Sequence, residues 1–351
     1  MLCTHDCPTL STNSSRRMCI DVLSPYETKL NIHSLSGLQT YLRTNETDLE
    51  RLKAAFIQSK LWAPRTNLII GFLASTPSET SSPASWEWKR AWVAHIISQT
   101  LALYPNVTFT FQLDPSQGSN ATIRISFDET QGCYSRIGTD ALQDWGGLNN
   151  SMNLGWMDAP LAHTFTYNNQ SYTTPSSFDQ GGYPGQGTVI VHEFGHAMGM
   201  IHEHQTPFNN PLVWNTQAVY QLFEGPPNNW SAADVNNNIL TPYSGMGMNG
   251  SAFDPYSIMK YSFPSNLLLT PTPALASEVE RFNLVLSGCD KYWLATNYPG
   301  KVSATDLAVL ESQCSVNTNG MVVGTSSRPV IELLIVVVVL WFIWSRMHKK
   351  Y

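Results

Sequence analysis

His192-Glu193-Phe194-Gly195-His196-Ala197-Met198-Gly199-Met200-Ile201-His202 is the stretch on which the reading of this 351-residue chain turns. The pattern over 188–200 predicts a helix. Two histidines four positions apart share one face of it, so both imidazoles can reach a single metal ion. Glu193 falls one position along, beside the ion but off the ligand direction, where a carboxylate can take a proton from water. Gly199 can adopt the left-handed conformation that ends a helix and turns the chain back, which returns His202 to the same ion. Three neutral nitrogens leave a fourth position open, the arrangement that separates catalytic from structural zinc.

With nine histidines in the chain, H-E-x-x-H arises by chance in roughly one such chain in a hundred, and requiring the glycine and the third histidine lowers this to roughly one in 10⁵. The competing reading, a helix that merely contains histidines, leaves that spacing unexplained. A second element, Ser257-Ile258-Met259-Lys260-Tyr261, follows Phe253-Asp254-Pro255 in an otherwise irregular region.

Together the two elements resemble the metzincin zinc endopeptidases, whose elongated histidine motif is followed by a later Met. Glu203 directly after the third histidine, and Tyr261 two residues after Met259, narrow the resemblance to the astacin-like branch of fungal and bacterial type. Leu61-Trp62, the helix near Trp86, 123–127, 134–142, Met152-Asn153-Leu154-Gly155-Trp156, 202–207 and 290–300 carry it further, so that it covers about 61–300. It implies an α+β zincin-like catalytic domain, with a mixed twisted sheet and two main helices in an upper half and an irregular lower half with one late helix. It also implies one zinc ion on His192, His196 and His202, with Glu193 as general base and then proton donor. Met259 would floor the site beneath the histidines, Glu203 would be structural, and Tyr261 would donate a hydrogen bond to the tetrahedral oxyanion. Tyr134, Ser135, Arg136 and Ile137 would form the edge strand along which an extended protein or peptide substrate pairs.

The chain departs from the family pattern in three places. His204-Gln205-Thr206-Pro207 replaces the Arg- and Asp-rich continuation of animal members, residue 260 is Lys where His is usual, and 1–60 lacks the pro-segment motif whose Asp caps the zinc.

Outward from the motif, 61–73 and then 107–111, 121–127, 133–137 and 152–156 read as strands. Trp88, Trp92, Ile96 and Leu103 sit at helical spacing over 86–103, 46–57 has helical charge spacing, and further helices are expected near 216–224 and over 277–294. The domain organisation is a lead segment 1–60 that includes a possible pro-segment, a catalytic domain 61–315, a linker 316–329, a transmembrane helix 330–345 and a basic tail 346–351.

Composition places the protein among classes. Charged residues are 13% and the formal charge is −6, which excludes the basic surface of a nucleic-acid binder. Eleven Trp, 14 Phe and 14 Tyr exclude global disorder. Glycosylation acceptors occur at Asn13, Asn45, Asn106, Asn120, Asn149, Asn169, Asn229 and Asn249, against roughly four expected by chance. The cysteines have no metal-type spacing; Cys289 and Cys314 flank one segment and either close a loop or stay as thiols.

The first 23 residues have no apolar run of signal-peptide length. Val330 to Trp344, apolar but for Glu332 and followed by Arg346, Lys349 and Lys350, would span about 22 Å as a helix, and about 28 Å if extended over 329–347, against a bilayer core of about 30 Å. The expectation is a single-pass anchor in the lipid bilayer with a glycosylated body outside the cell or in a lumen. The functional expectation is a zinc metalloendopeptidase. The alternative is a membrane-anchored binding ectodomain that keeps the zinc helix for stability.

Overall fold

The computed structural model describes residues 56–319, apart from 74–85, 144–148, 179, 181, 227 and 244–247, together with residues 20–22. In chain order the elements are β1 (Ile20–Val22), β2 (Phe56–Ile57), β3 (Asn67–Phe72), α1 (Glu87–Gln99), β4 (Thr108–Gln112), β5 (Ile123–Ser126), β6 (Cys133–Arg136), β7 (Met152–Leu154), β8 (Thr164–Tyr167) and β9 (Gln170–Thr173). After these come α2 (Thr188–Ala197), α3 (Thr216–Phe223), α4 (Ala232–Val235), β10 (Met248–Asn249), α5 (Pro273–Glu280), α6 (Gly288–Asn297) and α7 (Ala304–Asn319).

Alternation in β3 buries Leu68, Ile70 and Phe72 completely, and each such side chain contributes about 1.5–3 kcal/mol of burial. The sheet runs in the order β1-β6-β7-β5-β3-β4. It is mixed: β3 pairs parallel with β4 and β5, β5 parallel with β7, and β6 antiparallel to β7. Ile70 faces Ile123 and Ile125 faces Met152 across the strands, which stacks buried apolar pairs in register. On this core lie α1 and α2, packed on each other, with the β8–β9 hairpin against α1. Trp88 and Trp92 are buried, and the Trp92 indole donates to the Asp158 carbonyl at 3.0 Å.

The second half builds its own cluster from Val219, Phe223, Trp230, Ile239, Phe263, Leu275 and Val279, and Tyr261 belongs to it. A disulfide joins Cys289 on α6 to Cys314 on α7, which settles the alternatives left open for those two cysteines.

Several expectations are corrected. The strand expected over 61–73 begins only at Asn67, because the preceding residues turn inward: the Trp62 indole donates to Ala197 O at 2.8 Å, and Arg65 takes a positive φ of 68°. The helix expected to reach Leu103 ends at Gln99, a short 3-10 turn follows, and Leu103 is 52% exposed. Phe56 and Ile57, assigned to a helical stretch, form β2 against β10. They belong to the domain together with Lys60, whose ammonium pairs with Asp140 at 2.8 Å.

The late helix expected over 277–294 is two helices. Thr272 caps α5 ahead of Pro273, and Ser287 with Asp290 forms a capping box that starts α6 anew. Between them the Asn283 amide is spent on the carbonyls of Pro255 and Ser257. The lower half is therefore more helical than expected, and α7 runs on to Asn319, past the boundary placed at 315. No helix of the described residues is long and apolar enough to cross a membrane; the span expected over 330–345 lies outside them, as do 1–19, 23–55 and the tail.

Candidate metal and active site

Asp158 starts the helix that matters. Its carboxylate accepts from Val189 N at 2.9 Å, in the first turn of α2, and from Gln186 N at 2.8 Å, just ahead of the helix. Burial pushes its carboxyl upward and those bonds oppose the push. The far end closes as the sequence implies. Gly199 takes φ +92°, its N–H donates to His196 O at 2.8 Å, and Met200 N–H donates to Gly195 O at 3.0 Å, the bonding of a Schellman turn. The Tyr298 hydroxyl donates to Met198 O at 2.8 Å, beside the carbonyl taken by Trp62.

This turn brings the third histidine home. Ring centroids are 4.8 Å apart for His192–His196, 4.8 Å for His196–His202 and 5.4 Å for His192–His202. All three side chains are buried, and one ligand atom from each lies within 4.8 Å of the others. The tautomers follow from the partners. His192 Nδ1 lies 2.9 Å from Ile258 O, and His196 Nδ1 lies 2.9 Å from Met200 O. Carbonyls only accept, so both protons sit on Nδ1 and both Nε2 atoms present lone pairs, 3.2 Å apart. Two lone pairs held that close suit a cation between them, so the donor set fits a metal ion. Glu193, from the same helix, is 0% exposed.

Below the helix, Met259 is buried under Gly195, where a Cβ would come within 2.5 Å of its sulfur. Asp290 fixes this turn. It accepts from Ile258 N at 2.9 Å and Ser257 Oγ at 2.7 Å, and so aligns the carbonyl that holds His192. Glu203 ties the turn to His202: its N–H donates to Met259 O at 3.1 Å and its carboxylate accepts from Asp254 N at 2.7 Å. Burial, with Asp254 and Asp290 nearby, pushes the Glu203 carboxyl well up. The Tyr261 ring stands 4.3 Å from His202 and 4.9 Å from His204. His204 in turn bonds Asn238 O at 2.8 Å.

The structure brings His192, Glu193, His196, Gly199, His202, Glu203, Met259 and Tyr261 together. Tyr134, Ser135 and Arg136 lie on β6, which packs against α2, and Ile137 follows it. Burial pulls the Arg136 guanidinium down to about 10. This strand is not an open edge. β1 pairs with it in parallel, Ile20 opposite Tyr134 and Val22 opposite Arg136, because an edge strand's unpaired N–H and C=O groups template any strand that reaches them. Sequence reading missed Asp158 and the roles of Asp290 and Lys260. The S-x-x-D of Ser287 to Asp290 signals a helix start, but no local pattern points it at residue 258.

These features define a metal-binding protein of metalloprotease-like α+β fold. The chain matches a solved structure of myroilysin at 31% identity and a TM-score of 0.50, over 70% of its own length and 99% of that chain. A second structure of myroilysin is 30% identical over 69% of this chain and 87% of the other, at a TM-score of 0.40. The chain belongs to the family of myroilysin. No family model and no curated protein matches the sequence.

Proposed function

We propose that the chain is a zinc-dependent metalloendopeptidase of the astacin-like branch, acting on internal peptide bonds of proteins. The observation that carries this reading is the buried triad with two Nε2 lone pairs facing each other and Glu193 buried on the same helix. His192, His196 and His202 would hold the zinc, which would supply Lewis acidity to the scissile carbonyl. Around it, Glu193 takes a proton from the attacking water and returns it to the leaving amine. The Tyr261 hydroxyl donates to the developing oxyanion, and β6 aligns an extended polypeptide through its backbone.

Since β1 already lies along β6, the lead segment acts as a pro-segment that a substrate must displace. We assign the body to the outer or lumenal side of a membrane anchored by Val330 to Trp344, with glycans on the exposed Asn120, Asn149, Asn169 and Asn229.

The test is cleavage of an unfolded protein by the full-length chain and by Glu193→Gln, each nicked ahead of Phe56 by limited proteolysis and assayed with zinc and with a chelator. Both bind one zinc, and the mutant loses activity by on the order of 10²–10⁴-fold. A folded, zinc-loaded, nicked wild type that cleaves nothing would sink the peptidase reading in favour of a binding ectodomain.

A further inference from the structure

A lysine ammonium has three N–H donors, and Lys260 Nζ meets three carbonyls: Tyr261 O at 3.1 Å, Val279 O at 3.2 Å and Arg281 O at 2.8 Å. The side chain is buried, where an ion without partners is costly. Val279 and Arg281 lie at the end of α5, whose last carbonyls have no partner within the helix and carry the negative end of its dipole. Lys260 supplies the cation that such an end favours, but from a different segment. Two further bonds join the same parts: Phe263 N–H donates to Val279 O at 3.0 Å and the Ser262 hydroxyl donates to Glu280 O at 2.8 Å. The turn that carries Met259 under α2 and Tyr261 beside His202 is thereby moored to α5. Tyr261 and Val279 also share one apolar cluster.

The charged groups facing the ammonium are Glu278 and Arg281 at the end of α5 and Asp254 from the loop before the turn. Burial, with Arg281 acting in the same direction, outweighs the two carboxylates and pulls the amine down to about 7.

We infer that Lys260 is the positioning residue for Tyr261: by holding that residue's own carbonyl and the end of α5 at once, it fixes where the tyrosine ring stands against His202. The inference rests on the reading of Tyr261 as the oxyanion donor. A neutral amine has two N–H donors for three carbonyls, so one goes unmatched and the mooring is complete only in the charged form.

The experiment uses the full-length chain, zinc-loaded and nicked ahead of Phe56, with Lys260→Met, Lys260→Arg, Tyr261→Phe and the Lys260→Met/Tyr261→Phe double variant. Lys260→Met lowers kcat about 10-fold with KM within about twofold and zinc still at one per chain, the pattern of a loss felt in the transition state. Lys260→Arg, which stays charged, recovers most of it. On the Tyr261→Phe background Lys260→Met costs less than about twofold, because the two residues act as one unit. A purely structural lysine would instead cost the same factor on both backgrounds, and that result, or an unchanged kcat in Lys260→Met, overturns the inference.

If Lys260→Met does not fold, the pH profiles decide. Wild-type kcat has a limb that declines as pH rises through about 7, which Lys260→Arg lacks; superimposable profiles overturn the inference. The visible spectrum of the cobalt-substituted protein reads the triad's surroundings without turnover. Where Lys260→Met folds, the spectrum shifts in it and returns in Lys260→Arg, and no shift again overturns the inference. A wild type that binds zinc and cleaves nothing refutes the peptidase reading separately, leaving the cobalt spectra to decide on Lys260.

Discussion

A pair of imidazole nitrogens 3.2 Å apart, each with its proton turned away onto a backbone carbonyl, is repulsive until a positive charge stands between them. The folded site is therefore suited to a bound cation. With free metal near a thousand times its dissociation constant the ion contributes about 4 kcal/mol, so a chelator lowers the melting temperature by on the order of 10 °C. Adding zinc restores it, and a melting curve indifferent to the chelator would remove the triad from the account. At this scale the sequence was most readable. The positions of His192, Glu193, His196, Gly199 and His202 follow from helix geometry and one left-handed glycine, both local properties. Asp158 was not legible, because it reaches α2 from a loop about thirty positions upstream and nothing in its own neighbourhood marks it as a cap.

At the scale of elements, Asp158 makes a separate prediction. Asp158→Ala removes the acceptor that holds Val189 in the first turn of α2 and Gln186 just ahead of it. This costs about 1–2 kcal/mol, seen as a melting temperature roughly 2–8 °C lower; an unchanged value would mean that other groups cap the helix.

Lys260 gives a pH dependence. Its amine titrates at about 7 in the folded chain and at 10.5 as an ordinary lysine, so between those values the unfolded state holds more protons and stability rises with pH. Below about 7 both states are protonated and the penalty of the buried charge is fully present. The stability of wild type relative to Lys260→Met therefore rises between pH 7 and 10 in denaturant titrations, and parallel curves would refute the assignment. Element boundaries were legible where local chemistry sets them, as at Gly199. They were misread over 277–294, where apolar and charged spacing looked continuous although Ser287 and Asp290 begin a second helix. The pairing of β1 on β6 could not be read at all, since it joins residues more than a hundred positions apart and rests on backbone groups every sequence possesses.

At the scale of the molecule, Ile20–Val22 joins the sheet that backs the histidine helix. Proline at position 20 removes an N–H and restricts the backbone opposite Tyr134, without touching the triad. Ile20→Pro therefore raises the initial rate of cleavage by the unnicked chain several-fold, and a rate equal to wild type would show that β1 obstructs nothing. The last carbonyls of α2 have a different consequence. They are held by Trp62 and by Tyr298, which lie on opposite sides of it in the chain, while Asp290 aligns the carbonyl that orients His192. A ribosome delivers Trp62 long before Tyr298. His196 finds Met200 at once, but Ile258 and Asp290, which aim His192, and Tyr298 come later. The domain therefore completes its ion-holding geometry only once residue 298 has emerged.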